Sequence, residues 1–356
     1  MTSAASMTQA LPQPVTVAAL LKPAMAVALA AVLTGCLFQD RVEEFVGPTM
    51  GSTYSVKYVA SSGTAAKEQL QGETEAILAQ LDQQLSNYRT DSDIATFNAL
   101  PAGQCMEMPL SARELVLAGQ QLSLESDGAL DLTIEPLLNL WGFGPQGRQE
   151  QVPSAEEIAR VRQEIGHQHL RVEDEQLCKD AAVQVDFNSI AAGYAVDLVA
   201  QRLEALGVES YLVEITGELK ARGRKPGDVP WRIAIEAPQN NERIAQQVLE
   251  LDGYGVSTSG DYRNYFERDG KRYSHTLDPQ TGAPIEHPLA AVTVVDPSTL
   301  RADGLSTVLM VLGPERGLAF AAEHRIAALF VVHEEREFVS TSTAAFDELF
   351  GAGVEQ

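Results

Sequence analysis

The feature that most constrains the fold is a change of hydrophobic period inside residues 183–206. Val183–Phe187 (VQVDF) alternates apolar and polar residues, the pattern of a strand. From Ser189 to Leu206 the apolar residues fall instead at Ile190, Tyr194, Val196, Leu198, Val199 and Leu203, which is helical spacing, and Gly207 stands ready to close the helix. A strand that runs directly into a helix is followed by short strands at Tyr211–Ile215, Leu219–Gly223 and Trp231–Glu236. Phe266–His275 reads as a hairpin about Asp269-Gly270, and Ala290–Val295 as a buried strand. Arg301–Leu312 and Glu315–Glu323 read as helices, and Ala328–Val332 as a late strand. Hairpins and antiparallel meanders with interspersed helices predict an α+β fold rather than a doubly wound sheet.

Earlier in the chain, Ser55–Ala60 predicts a strand and Ala65–Leu85 an amphipathic helix. Two capping boxes are expected, Ser111 with Glu114 and Ser154 with Glu157. Ala24–Leu33 is an apolar run preceded by Lys22. It is too short to span a bilayer, which takes about 20 residues, and fits the apolar region of an export signal. It ends in Leu33-Thr-Gly-Cys36, which resembles a bacterial lipobox, with Cys36 as the lipidated first residue of the mature protein. The expected organisation is a leader over 1–35, an anchor linker over 36–45 and one domain over 46–350. The expected location is the periplasmic face of a membrane, reached as an exported lipoprotein. In that oxidising space Cys105 and Cys178 can pair, but their spacing does not decide whether they do.

The chain of 356 residues carries 26 Lys and Arg against 49 Asp and Glu, a formal charge of −23. That balance argues against nucleic acid, whose phosphates are bound by clustered Lys and Arg. An anionic ligand here requires positive potential from a metal, a few arginines or helix N-termini. Gly142–Gly147 (GFGPQG) matches a dinucleotide fingerprint, but no strand precedes it and no apolar helix follows, so that reading fails. What remains are segments dense in glycine and small polar residues: TMGSTYSV, LSNYRTDSD, SDGALDLTIEPLLNLWGFGP, VDFNSIAAGYAVD, STSGDYRNYF and SHTLDPQTGAPIEH. Such loops bring backbone close to a ligand.

In this order, over about Val46 to Gly313, these segments resemble the ApbE family, flavin transferases that move FMN from FAD to a protein threonine or serine. The resemblance implies a fold of antiparallel sheets with helices between them, and FAD in a cleft between two interleaved subdomains. It implies a divalent cation, Mg²⁺, on Asp303 and Thr307, with the backbone carbonyl of Ser189 as third ligand. On spacing alone, Asp303 and Thr307 lie four residues apart and so on one helical face. By the same resemblance FAD contacts fall on Met50, Tyr88, the Ala129-Leu130-Asp131 run, Asp186, Ala192 and Leu277. Arg263 and Arg272 flank the hairpin and are candidates for offsetting pyrophosphate charge. His275 is the first candidate for the base that takes the acceptor's proton, with Asp303 as its competitor.

Two positions depart from the family pattern. Ala192 stands where relatives often carry Lys or Glu, and Thr216-Gly217 replaces a double glycine. The implied acceptors are flavinylated subunits of membrane redox complexes, of the Na⁺-pumping NADH:quinone reductase or Rnf type. Two alternatives stand beside transfer: hydrolysis of FAD to FMN and AMP, and flavin binding without catalysis.

Overall fold

The computed structural model describes residues 2, 40–146, 152–236, 245–260, 264–334 and 337–351. The leader and Cys36 therefore lie outside the described residues, as does Arg263. From Arg41 onward the chain packs as one unit.

Its frame is an eight-stranded sheet whose strands, numbered here in chain order, are β1 (Arg41–Thr49), β2 (Ser52–Ala60), β3 (Tyr211–Ile215), β4 (Glu218–Arg222), β5 (Tyr254–Gly260), β6 (Leu289–Asp296), β7 (Ala327–Glu334) and β8 (Glu337–Ser342). Neighbours in space are neighbours in this list, and every pairing is antiparallel. The expected α+β class is what the chain adopts. β1 begins inside the span expected to be linker, so residues 41–45 belong to the sheet edge.

Turn chemistry explains the hairpins. Thr49 pairs with Ser52 across Met50-Gly51, both with positive φ (46° and 72°), the mirror-image turn that suits right-twisted strands. Asp269-Gly270 does the same (53° and 74°) between Tyr265–Arg268 and Lys271–Ser274, as its sequence predicts.

Four helices matter for the site: α1 (Lys67–Leu85), α2 (Leu110–Glu125), α3 (Ala191–Ala205) and α4 (Thr299–Glu323). α4 packs on β5 and β6, and α3 packs between α4 and α1. Their apolar faces close the main core, where Val56, Leu70, Leu115, Val199, Val292 and Leu309 are fully enclosed. The opposite face of the sheet is covered by the strands Val229–Glu236 and Ala245–Leu251 and by the helix Ala344–Phe350, through Trp231, Leu249 and Phe346. β6 is therefore buried on both faces, which is why its sequence, LAAVTVVD, is almost continuously apolar. The two helices expected around 301–323 form within this span and meet at Gly313, whose φ of 76° and ψ of −176° break the helical backbone, with Pro314 just inside the second.

Three local expectations are corrected. Ser111 does not cap α2: the helix starts at Leu110, Ser111 Oγ donates to Gln84 Oε1, and Glu114 accepts from the hydroxyl of Tyr194. VQVDF is extended but makes only an isolated bridge, from Gln184 to Ile134. The Val185 N–H goes to Asn98 Oδ1 and the Asp186 N–H to the Leu132 carbonyl, so side chain and loop replace a neighbouring strand. Third, Val256–Gly260, read as a polar loop, is the body of β5. The Ser154–Glu157 capping box forms as expected, and Gly207, with φ 82°, follows the end of α3.

Cys105 and Cys178 are disulfide-bonded, directly opposite one another in a small sheet formed by Gln104–Glu107, Gln176–Lys179 and Leu170–Glu173. Gly142, the first glycine of the misleading GFGPQG, is the left-handed residue that ends the helix Glu135–Trp141.

Candidate functional site

Two adjoining cavities share Asn188. The first, about 660 Å³, is lined by Met50 and Gly51 of the β1–β2 turn, Leu81, Leu85 and Tyr88 at the end of α1, Ala191 and Ala192 at the start of α3, and Thr216 after β3. The second, about 320 Å³, is lined by Ala129, Leu130 and Asp131, by Asp186 and Ser189, by Glu218, Thr258 and Ser259, by His275 and Leu277, and by Asp303 and Thr307. All the residues expected to hold flavin, metal or the acceptor's proton thus fall on one cavity or the other. Both lie within one packed body, between the ends of β3–β5 and the segments around 129–138 and 186–189, rather than between separable subdomains.

The second cavity is acidic. Asp131, Asp186, Glu218 and Asp303 line it, and among the described residues no Lys or Arg does. Asp303 is buried at 6% exposure on α4, and its carboxylate accepts from the Gly193 N–H (2.9 Å) and faces Ser257 Oγ (3.4 Å). Burial, together with the nearby charge of Glu218, pushes its carboxyl well above the usual range. No Lys or Arg among the described residues forms an ion pair with it. A hydroxyl one turn along the helix, Thr307, lines the same cavity, as does Ser189 in the turn before α3. These are hard oxygen donors in a cavity with no Lys or Arg among its described liners, and they fit Mg²⁺.

Gly193 explains why α3 and α4 come so close. A Cβ there would overlap the Thr299 carbonyl oxygen and lie 2.7 Å from Asp303 Cβ. Only glycine lets its own N–H reach the carboxylate.

The two other aspartates are already engaged. Asp131 accepts from the Thr133 N–H (2.8 Å) and hydroxyl (2.7 Å) and from the His167 N–H (3.0 Å). Asp186 accepts from the Asn188 N–H (2.7 Å) and side-chain amide (3.0 Å), and burial raises its carboxyl to about 6. Their first role is to fold the loops that line the cavity, with lone pairs left for a ligand.

Behind Asp186 lies Glu135, buried and raised to about 7, first by desolvation and then by the charge of Asp186. Asn87 and Asn98 each donate both to Glu135 and to the Val185 carbonyl, so they tie this acid to the loop that both cavities share.

His275 Nδ1 lies 2.9 Å from the Asn264 carbonyl oxygen. A carbonyl only accepts, so Nδ1 carries the proton and a neutral ring has its lone pair on Nε2. None of the other five histidines lines this cavity. Arg272 stacks on Tyr265 at 3.8 Å and is not among the cavity residues. Tyr88 sits on the rim, 66% exposed. Thr216 holds φ 55°, a strained value for a β-branched residue, and its hydroxyl donates to Glu218.

Sequence reasoning missed Asn188, Gly193, Glu218, Ser257 and Ser259. The strand period of two on β5 places Ser257 and Ser259 on one face, a signal masked by reading the segment as a loop.

Comparison with known proteins identifies the family. The model of the ApbE family matches residues 50–330. A crystal structure of the Pseudomonas stutzeri flavinyl transferase ApbE in its apo form superposes with a TM-score of 0.85 at 72% identity, covering 89% of this chain and 99% of that one. An FAD:protein FMN transferase of Vibrio cholerae serotype O1 is 42% identical over 323 residues, 90% of this chain and 97% of its own length. The Escherichia coli K12 FAD:protein FMN transferase is 38% identical over 308 residues, 84% of this chain and 87% of its own. The chain therefore belongs to the ApbE family.

Proposed function

We propose that this protein is an Mg²⁺-dependent FAD:protein FMN transferase, anchored by lipid on Cys36 and facing the periplasm. The observation that carries the metal requirement is the acidic cavity. FAD brings a pyrophosphate dianion, and four carboxylates with no Lys or Arg among the described liners cannot hold it without a cation.

Asp303, Thr307 and the Ser189 carbonyl are the residues that would hold Mg²⁺, which supplies neutralisation of charge on the pyrophosphate. Tyr88 and Met50, with Ala192, form the wall for the flavin or adenine ring. Backbone of Ala129–Asp131 and Leu277 lines the path of the phosphates and ribose. The acceptor's Thr or Ser hydroxyl attacks the phosphorus on the FMN side, and the bond from that phosphorus to the AMP oxygen breaks. A phosphoester forms and AMP leaves. The hydroxyl proton passes to Nε2 of His275, whose other nitrogen is held by Asn264. The acceptors are flavoprotein subunits of membrane redox complexes, of the Na⁺-pumping NADH:quinone reductase or Rnf type.

The test combines the protein with FAD, Mg²⁺ and an acceptor domain bearing a Ser/Thr-Gly-Ala-Thr site, followed by a denaturing gel under ultraviolet light. A fluorescent acceptor band that requires Mg²⁺ is expected. A dark band with AMP released would replace transfer by FAD hydrolysis, and a dark band without AMP would leave binding alone. For the anchor, Cys36→Ser should move the protein from the membrane to the soluble fraction; retention at the membrane would reject lipidation.

A further inference from the structure

Three serines lie where α4 packs on β5, beside a helix whose neighbouring residues Ala302, Leu305 and Leu309 are buried. Ser257 and Ser306 are fully enclosed, at 1% and 0% exposure, while Ser259 is half-buried and lines the acidic cavity. Their hydroxyls form a ladder. Ser259 Oγ is 2.8 Å from Ser306 Oγ, Ser306 Oγ is 3.1 Å from Ser257 Oγ, and Ser257 Oγ is 3.4 Å from Asp303 Oδ1.

Counting protons orders the ladder. Ser306 has one hydroxyl proton, and it goes to the Asp303 carbonyl at 2.8 Å. Ser306 therefore donates to neither of the other two serines, and Ser259 donates to it. Ser257 also has one proton and faces two acceptors, Ser306 Oγ and Asp303 Oδ1. An ionised, cation-bound carboxylate is the stronger acceptor of the two, since a charge-assisted bond is about twice as strong as a neutral one.

A packing role alone does not account for these residues. Alanine would fill the same layer without burying hydroxyls, and buried hydroxyls are costly unless they are used. The geometry points to Ser257 as the positioning residue that holds the Asp303 carboxylate in its metal-ligating orientation, while Ser259 supports Ser306, which donates to the Asp303 backbone carbonyl. This rests on Asp303 being a metal ligand. The Gly193 N–H fixes one carboxylate oxygen from α3 and Ser257 fixes the other from β5, leaving each oxygen further lone pairs for the cation. The bond from Ser306 to the Asp303 carbonyl also sets the helical turn that carries both Asp303 and Thr307.

The test is an electron paramagnetic resonance titration of the full chain with Mn²⁺ in the presence of saturating ADP, a diphosphate that carries no FMN to transfer. Ser257→Ala is expected to raise the Mn²⁺ dissociation constant about tenfold, at the lower end of the 10–100-fold usual for residues that orient metal ligands. Ser257→Thr, which keeps a hydroxyl, should restore most of the affinity. The melting temperature and far-ultraviolet circular dichroism should stay near wild type. A Ser257→Ala protein with wild-type Mn²⁺ affinity would overturn the proposal, as would a lower melting temperature with unchanged affinity. If Ser257→Ala does not fold, Ser259→Ala at the half-buried end decides: a smaller rise in the constant supports the ladder, and none rejects it. Asp303→Asn separates the two readings, because Mn²⁺ binding that survives it removes the metal assignment and not merely the ladder.

Discussion

The two cavities are built by different means. The wall around Asp303 is carried on regular elements, β5, α3 and α4: the Asp303 carboxylate meets the Gly193 N–H from α3 and Ser257 from β5, and Ser306 on α4 meets Ser257 and Ser259. The wall around Tyr88 is carried on turns and helix ends, with an exposed ring, a methyl at Ala192 and two non-glycine residues of positive φ, Met50 and Thr216. Both positions expected to depart from the family pattern, Ala192 and Thr216, fall on the Tyr88 wall. The contrast fits the roles proposed for the two walls. Charge chemistry on phosphorus needs donors held within a fraction of an ångström, whereas a flat ring is held by area and tolerates variation.

The sharpest way to break this contrast is at the metal wall. Asp303→Ala should lower transfer by about 10³-fold or more, because it removes the anionic ligand on which cation binding depends. Transfer measured across a range of Mg²⁺ concentrations checks this, and recovery at high Mg²⁺ would show that Asp303 is only one of several sufficient ligands.

Gly193→Ala tests rigidity directly. The added methyl has no room between Thr299 and Asp303, so a loss of about 1–3 kcal/mol is expected in urea unfolding. A neutral result would mean that α3 and α4 separate easily and that the wall is not rigid.

The junction between the walls should respond to pH. Glu135 holds its proton to about 7 in the folded chain but loses it near 4.5 when unfolded. The folded state therefore binds more protons between these values, and stability falls as pH rises from about 4.5 to 7. Asp186 adds the same sign between its ordinary 3.8 and about 6. Glu135→Gln should flatten that slope by about 1–3 kcal/mol over the window, as read by denaturant melts at pH 4.5 and 7.5.

At the flavin wall the effects should be smaller and separable. Tyr88→Ala should raise the KM for FAD about tenfold with kcat nearly unchanged, in line with about 1–3 kcal/mol for stacking of an aromatic on a base. An equal fall in kcat would place Tyr88 in the chemistry instead. The smallest effect is expected from Thr216→Gly. It removes backbone strain but also the bond to Glu218, so melts should move by less than about 1 kcal/mol.

Much of the frame was legible in the chain because its signals are local. Asp269-Gly270 specifies its turn, Gly313-Pro314 its kink, and the apolar run of β6 its burial on both faces. The elements misread were those whose partners lie far away. The capping signal at Ser111 and Glu114 is genuine in pattern, yet both side chains are drawn off to Gln84 and Tyr194. β1 was hidden because an edge strand, exposed along most of its length, lacks the apolar run of a buried one. VQVDF alternates like a strand, but Asn98 and Leu132 satisfy its N–H groups before any neighbour can.

The site divides along the same line. The sequence by itself determined the class of fold and the turns, since these are specified by immediate neighbours along the chain, and its resemblance to the ApbE family singled out Asp303, Thr307, Ser189 and His275 as candidates. Only the tertiary structure decided that Asp303 meets the Gly193 N–H across 110 positions and Ser257 across 46, that Cys105 and Cys178 face each other, and that four carboxylates share one cavity. Hydrogen-bond partners and electrostatic neighbours are set by distances of a few ångströms in space, and a pattern read along the chain carries no information about those distances until the sheet has brought its strands together.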